Sequence, residues 1–200
     1  MTGTLQSLPL MAPTEIAGVK RAANWNGAVG LVGSLGALVL ADGSATSASV
    51  TWYSPPSATG RGLWWNGYAE EPGDAKMMNG YLDPHSGDMP NLPATVAVTG
   101  LPATLTSGGY DVYVYVSGEV PSATTRTYRY GLGTATAMVS QAGPSPTILS
   151  GYTLAPAGGA GNYIVFRNQT ASFFILTATP SGTGARAPVN GLQIVSPSGS

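Results

Sequence analysis

Apolar residues recur at every second position in short runs, and clusters of Gly, Pro, Asn, Asp and Ser separate the runs. That is the pattern of half-buried strands joined by turns. Ile16–Arg21 is the first predicted strand. Ala37–Ala41 runs into the turn signal Asp42-Gly43, and Ser47–Tyr53 places Val50 and Trp52 on one face. Ala94–Val98 stops at Gly100-Leu101-Pro102. The clearest predicted hairpin joins Tyr110–Ser117 to Thr125–Gly131 through Gly118-Glu119-Val120-Pro121-Ser122. A second joins Asn162–Arg167 to Ala171–Thr179 through Asn168-Gln169-Thr170, and Val189–Val195 closes the series. Helical signals are confined to Asp74–Asn79, with Asp74 as the expected N-cap. Strands spaced about ten residues apart, with no longer repeat, predict an all-β antiparallel sandwich or barrel.

Alternation also divides side chains by face. In the first hairpin Val112, Val114 and Val116 share one face and Tyr113 and Tyr115 the other; in the return strand Tyr128 and Tyr130 share a face with Arg126. The valine face has no polar atom to satisfy and is the expected core face. A register placing Tyr113 near Tyr128 makes Tyr113, Tyr115, Tyr128 and Tyr130, with Arg126, one aromatic face. It is either a stacking surface for sugar rings, a set of cross-strand pairs stabilising a half-exposed sheet, or the core face itself with the valines under a loop.

The four tryptophans sort similarly. Trp25, between turn formers in Asn24-Trp25-Asn26-Gly27, is expected to pack inward and use its N–H. Trp52 belongs to the core by period. Trp64 and Trp65 are neighbours and should point to opposite sides of an extended chain. Gly60, Gly62 and Gly67 place them in a loop, where binding groups are often displayed. Trp64, Trp65 and Tyr68 are the expected platform, with Asn66, Asn79 and Tyr81 beside them; the alternative is that both indoles anchor a long loop to the sandwich edge.

Composition narrows the class. Gly (28) and Pro (16) are frequent for 200 residues, yet 43% hydrophobic residues argue against disorder. Charged residues make up only 8%, about a third of ordinary usage, and the net charge is −1. Nothing marks a nucleic-acid or membrane surface. There is no cysteine, hence no disulfide framework or thiolate metal site. The low charge and the abundance of small residues are expected of a secreted bacterial protein. Residues 1–14 read as a linker or extended lead-in, 15–195 as one domain and 196–200 as a linker-like tail. The whole reads as a monomeric module of a larger chain.

Catalytic signals are sparse. His85 is the only histidine, in Asp83-Pro84-His85-Ser86-Gly87-Asp88, where the potential triad members are adjacent rather than convergent. The acids Glu70, Glu71, Asp74, Asp83, Asp88, Asp111 and Glu119 are scattered, without the paired environment a glycosidase needs. No catalytic residue and no required cofactor is expected. Glu70, Glu71, Asp74, Asp83 and Asp88, with loop carbonyls, are candidates for a structural calcium, although no D-x-D-x-D-G loop dictates one.

Two segments carry a resemblance. Ala187-Pro188-Val189-Asn190-Gly191-Leu192-Gln193-Ile194-Val195 is similar to the closing strand of galactose-binding-like jelly-roll domains. Tyr110-Asp111-Val112-Tyr113-Val114-Tyr115 resembles their central strand. The order of elements from Ile16 to Val195 resembles the non-catalytic carbohydrate-binding modules of secreted polysaccharide-degrading enzymes. The resemblance implies a jelly-roll sandwich, sometimes a structural calcium, and sugar sites in edge loops or on the concave face. The function it implies is binding of a polysaccharide or oligosaccharide through exposed aromatics. A structural or adhesion domain of a bacterial cell-surface protein is the alternative.

Overall fold

The computed structural model describes residues 10–56, 62–69, 72–85, 92–181 and 186–197. Along the chain run β1 (Val32–Leu35), β2 (Ser49–Tyr53), β3 (Leu63–Trp65), α1 (Asp74–Asn79), β4 (Gly80–Leu82), β5 (Ala94–Thr99), α2 (Ala103–Thr106) and β6 (Tyr110–Tyr115). They are followed by β7 (Thr125–Leu132), β8 (Ala135–Ala142), β9 (Tyr163–Gln169), β10 (Phe174–Pro180) and β11 (Gly191–Val195). One sheet has the order β1-β2-β5-β10-β7-β8, a second β11-β6-β9, and β3 pairs with β4. Every strand pairing is antiparallel. The protein is an all-β sandwich.

Alternation decides what fills the interior. Val112 and Val114 of β6, with Val116 just beyond it, meet Ile164 and Phe166 of β9 on the inner face of the smaller sheet. Trp52, Val96, Val98, Tyr128, Tyr130, Leu132, Leu176 and Ala178 answer from the larger one. The valine face is therefore the core face, and Trp52 lies in it as its period requires. A second apolar layer covers the outer face of the smaller sheet: Tyr113 and Tyr115 pack with Tyr68, Met77 and Met78, flanked by Trp25, Tyr152 and Tyr163. Trp25 packs inward as expected, half-buried, with its ring edge-on to Tyr115 at 6.2 Å and its N–H on the Ala22 carbonyl at 2.9 Å.

β2, β5, β6, β7, β9, β10 and β11 fall near their predicted places, β1, β3, β4 and β8 form where no strand is predicted, and the two predicted hairpins do not form. β6 lies in the smaller sheet and β7 in the larger, and β9 and β10 are separated in the same way. Val116, just before the first supposed turn, and Val120, in the middle of it, are both buried. The connection thus crosses the end of the core instead of turning at the surface. In the second case Ile164 and Phe166 face Phe174 and Leu176 across one interior, so their strands must come from opposite layers. The hairpin partner of β7 is β8, through the turn at Gly133.

Ile16–Arg21 is a turn, closed by two bonds between Ala17 and Ala22, and not a strand. Gly18 has φ +92°, and the N–H groups of Gly18, Val19 and Lys20 are taken by the side chains of Asp74, Tyr115 and Gln193, leaving none for a sheet. Ala37–Ala41 contributes a single bridge, Val39 to Ala45, around the predicted Asp42-Gly43 turn, and the strand forms earlier, at β1. The helix at 74–79 is present, but Gly73 occupies the N-cap. Asp74 instead accepts from Gly18 N and Tyr152 Oη, both at 2.9 Å, and pairs with Arg21.

Candidate functional site

Trp64 and Trp65 lie on β3, a strand of three residues paired with β4, and not in a free loop. Their rings do not diverge. The centroids are 4.9 Å apart and the planes 25° from parallel, an offset stack. The strand ladder ends at Trp65, one more backbone bond runs from Asn66 N to the Asn79 carbonyl at 2.8 Å, and Gly67 then turns the chain with φ +70°.

Trp64 is fixed from several directions. Its indole N–H donates to Glu119 Oε2 at 2.8 Å. The Arg186 guanidinium lies over the ring, 5.9 Å from the centroid. Arg186 is in turn paired with the buried carboxylate of Asp83. Glu119 donates its backbone N–H to Tyr81 Oη at 3.1 Å, and its carbonyl accepts from Arg126 Nη1 at 2.5 Å. Trp65 covers the stack and is 37% exposed. The result is an indole platform with an exposed carboxylate at its rim.

The remaining expected members support this platform without being displayed. Tyr68 is buried, its hydroxyl 2.7 Å from Ser117 Oγ. Burial raises the pKa of that phenol, partly offset by the Ser117 hydrogen bond. Asn79 is buried and bonds the backbone of Tyr68 in both directions. Asn66 donates to the carbonyls of Met78 and Ser117, at 2.8 and 2.9 Å. Tyr81 is opposite Trp64 on β4 and buried, and its pKa is raised by burial first of all.

The expected tyrosine face does not exist as one surface. Tyr128 and Tyr130 point into the main core and are fully buried, whereas Tyr113 and Tyr115 lie in the outer layer, stacked or tilted against Tyr163. Arg126 is at the end of the Tyr128–Tyr130 face and reaches Glu119, which joins it to the tryptophan platform. Sequence reading missed Glu119 and Arg186 as platform residues. Both come from segments far from β3, and no local spacing announces them.

Of the calcium candidates, Asp74 and Asp83 are each paired with an arginine, and Glu70, Glu71 and Asp88 lie outside the described residues. Among the described residues no group of three or more metal-ligating side chains is assembled. His85 sits on a bridge to Arg186, while Ser86, Gly87 and Asp88 lie outside the described residues, as does Gly60.

Fold and site together define an all-β sandwich that carries a braced tryptophan stack on its separate two-stranded β3–β4 sheet. Comparison with protein-family models, curated proteins and solved structures gave no match to this chain.

Proposed function

We propose that this sandwich is a non-catalytic carbohydrate-binding module, of galactose-binding-like jelly-roll type, serving a secreted polysaccharide-active protein. The observation that carries the reading is the Trp64–Trp65 stack, with Trp65 exposed and Trp64 held by Glu119. A sugar ring offers C–H groups on its face and hydroxyls at its edge. An indole face with a carboxylate at its rim offers the complement. Because Trp64 is already held in place by hydrogen bonds and packing, binding loses little side-chain freedom. In this reading Trp65 stacks on the sugar, Trp64 backs it, and Glu119 and Arg126 are the hydrogen-bonding groups at the rim.

Affinity electrophoresis in gels containing soluble polysaccharides tests the proposal. Wild-type protein should be retarded by at least one glycan, and Trp65→Ala should lose that retardation while melting at the wild-type temperature. A protein retarded by no glycan, or a Trp65→Ala variant as retarded as wild type, overturns it.

A structural or adhesion domain is the second reading. Val32 and Tyr53, paired across β1 and β2, and Ile175 of β10 are exposed apolar residues of the larger sheet, and Phe173 just before β10 is exposed beside them in sequence. Such residues suit contact with a neighbouring domain. In that case no glycan retards the protein, and Tyr53→Ser with Ile175→Ser weakens attachment to the neighbouring domain.

A further inference from the structure

The two sheets differ in width, and the difference leaves a gap. Strands β1, β2 and β5 of the larger sheet contribute side chains to it. Leu35, Val50, Trp52 and Val96 form a floor there. Leu82 of β4 and Leu192 and Ile194 of β11 contribute to the opposite wall, and the segment around Trp25 and Leu38 lines the side. Between them is an open cavity of about 450 Å³.

The walls are apolar in effect as well as in composition. Asn26 bonds the backbone of Val39 in both directions, and Thr46 donates to the Leu38 carbonyl. Asn190 is spent on Ser117, Met78 and Gly80, and Gln193 on Tyr115 and Lys20. The indole N–H groups of Trp52 and Trp25 go to the carbonyls of Gly30 and Ala22. Lys76, the charged residue of the lining, is paired with Glu15. Water inside would find few partners, and cavities of that kind favour apolar guests. The rim residues Leu10, Val29 and Leu40 are exposed, so the entrance is apolar too.

Protein interiors rarely keep voids larger than a water molecule, whereas ligand sites of roughly 300–1,000 Å³ with mostly hydrophobic linings are usual. We propose that this gap is a binding site for an uncharged apolar small molecule, one whose hydrocarbon chain or ring system is buried between the sheets. Among the described residues the walls carry no unpaired charge, which favours an uncharged guest, because an unpaired buried charge is heavily penalised. Trp65 is not part of the cavity lining, and the cavity and the platform share Trp64, with Asn79 and Tyr81 beneath it.

N-phenylnaphthylamine, a neutral apolar fluorophore, is the probe. It should bind wild-type protein saturably at one site, be displaced by decanol, and show affinity independent of salt. Leu38→Trp and Leu35→Phe, each projecting added bulk into the gap, should weaken binding tenfold or more in variants that keep the wild-type far-UV circular dichroism. A bromo-alkanol provides a readout without any variant: it should quench the tryptophan emission of the wild type saturably, because Trp25, Trp52 and Trp64 line the cavity. Absence of saturable probe binding and quenching overturns the proposal, as does unchanged affinity in a folded filling variant. Binding that appears only after residues Met1–Pro9 are deleted also overturns it, in favour of occupancy by the chain itself. Glycan retardation reads a different surface, so either result can fail alone.

Discussion

Gly33 lies directly across the β1–β2 ladder from Trp52, and the indole covers it so closely that a methyl group on Gly33 would sit 2.3 Å from Trp52 Cζ2. The pair explains how a glycine is tolerated in an edge strand: the neighbouring aromatic shields the backbone that no side chain covers. Trp52 cannot retreat freely, because its N–H is bound to the Gly30 carbonyl at 2.9 Å.

Gly33→Ala should therefore cost about 1–3 kcal/mol, the usual range for forced overpacking. The melting temperature should fall by about 2–4 °C for each kcal/mol in a domain of this size. Near-UV circular dichroism should change with it, since the ring must move. A variant melting within 1 °C of wild type, on the order of a quarter kcal/mol, would show that the ring has room.

How much of this was written in local sequence can be judged from the same residues. Period-2 alternation located seven of the strands, missed β1, β3, β4 and β8, and assigned Val112, Val114 and Trp52 to the interior, because one face of each strand must be dry. It could not say which strands share a sheet. The face of Tyr128 and Tyr130 was read relative to Tyr113, as if β6 and β7 were neighbours; across two opposed sheets that register has no meaning. The Trp64–Trp65 region was recognised as distinctive from its glycines and aromatics. The partners that shape it, Glu119 and Arg186, are long-range and carry no local signature.

Tyr128 and Tyr130 form a natural experiment two residues apart. Both are fully buried on the core face of β7. Tyr130 donates its hydroxyl to the Pro188 carbonyl at 2.7 Å, whereas Tyr128 Oη is buried with no hydrogen-bond partner. Tyr130→Phe should cost about 1–2 kcal/mol, because a bond is lost and a carbonyl orphaned. Tyr128→Phe should be neutral or stabilising by up to about 1 kcal/mol, since a desolvated hydroxyl is removed. Urea unfolding of the two variants decides; equal losses would mean Tyr128 is hydrogen-bonded in solution.

Alkaline pH should unfold the protein cooperatively. Burial holds the phenols of Tyr81, Tyr115, Tyr128, Tyr130 and Tyr152 above their ordinary pKa, and the Asp74 carboxylate adds to the effect at Tyr152. The unfolded chain releases those protons near pH 10 while the folded chain keeps them. Their contribution to stability is therefore fully present below about pH 10 and is lost progressively as pH rises beyond it. Phenolate absorbance and far-UV circular dichroism followed together should show these buried tyrosines ionising with the loss of sheet. Complete ionisation of all ten tyrosines in a still-folded protein would contradict this.

The pair beneath the platform should tie stability to the proposed glycan binding. Asp83 and Arg186 have side chains only 3% and 17% exposed, and Arg186 also lies over the Trp64 ring. Arg186→Met should leave a buried carboxylate unpaired and cost about 3–5 kcal/mol, whereas Asp83→Asn combined with Arg186→Met should recover much of that loss. Since stacked indoles couple electronically, the Trp64–Trp65 exciton signal in circular dichroism reports the platform directly. Arg186→Met, and the double variant even where its stability returns, should lose part of that signal because Trp64 has lost its cover. Glycan retardation should weaken in parallel although Arg186 need not touch the sugar. A double variant with restored stability, a wild-type exciton signal and undiminished retardation would show that the pair only holds the fold and that Trp64 is oriented without it.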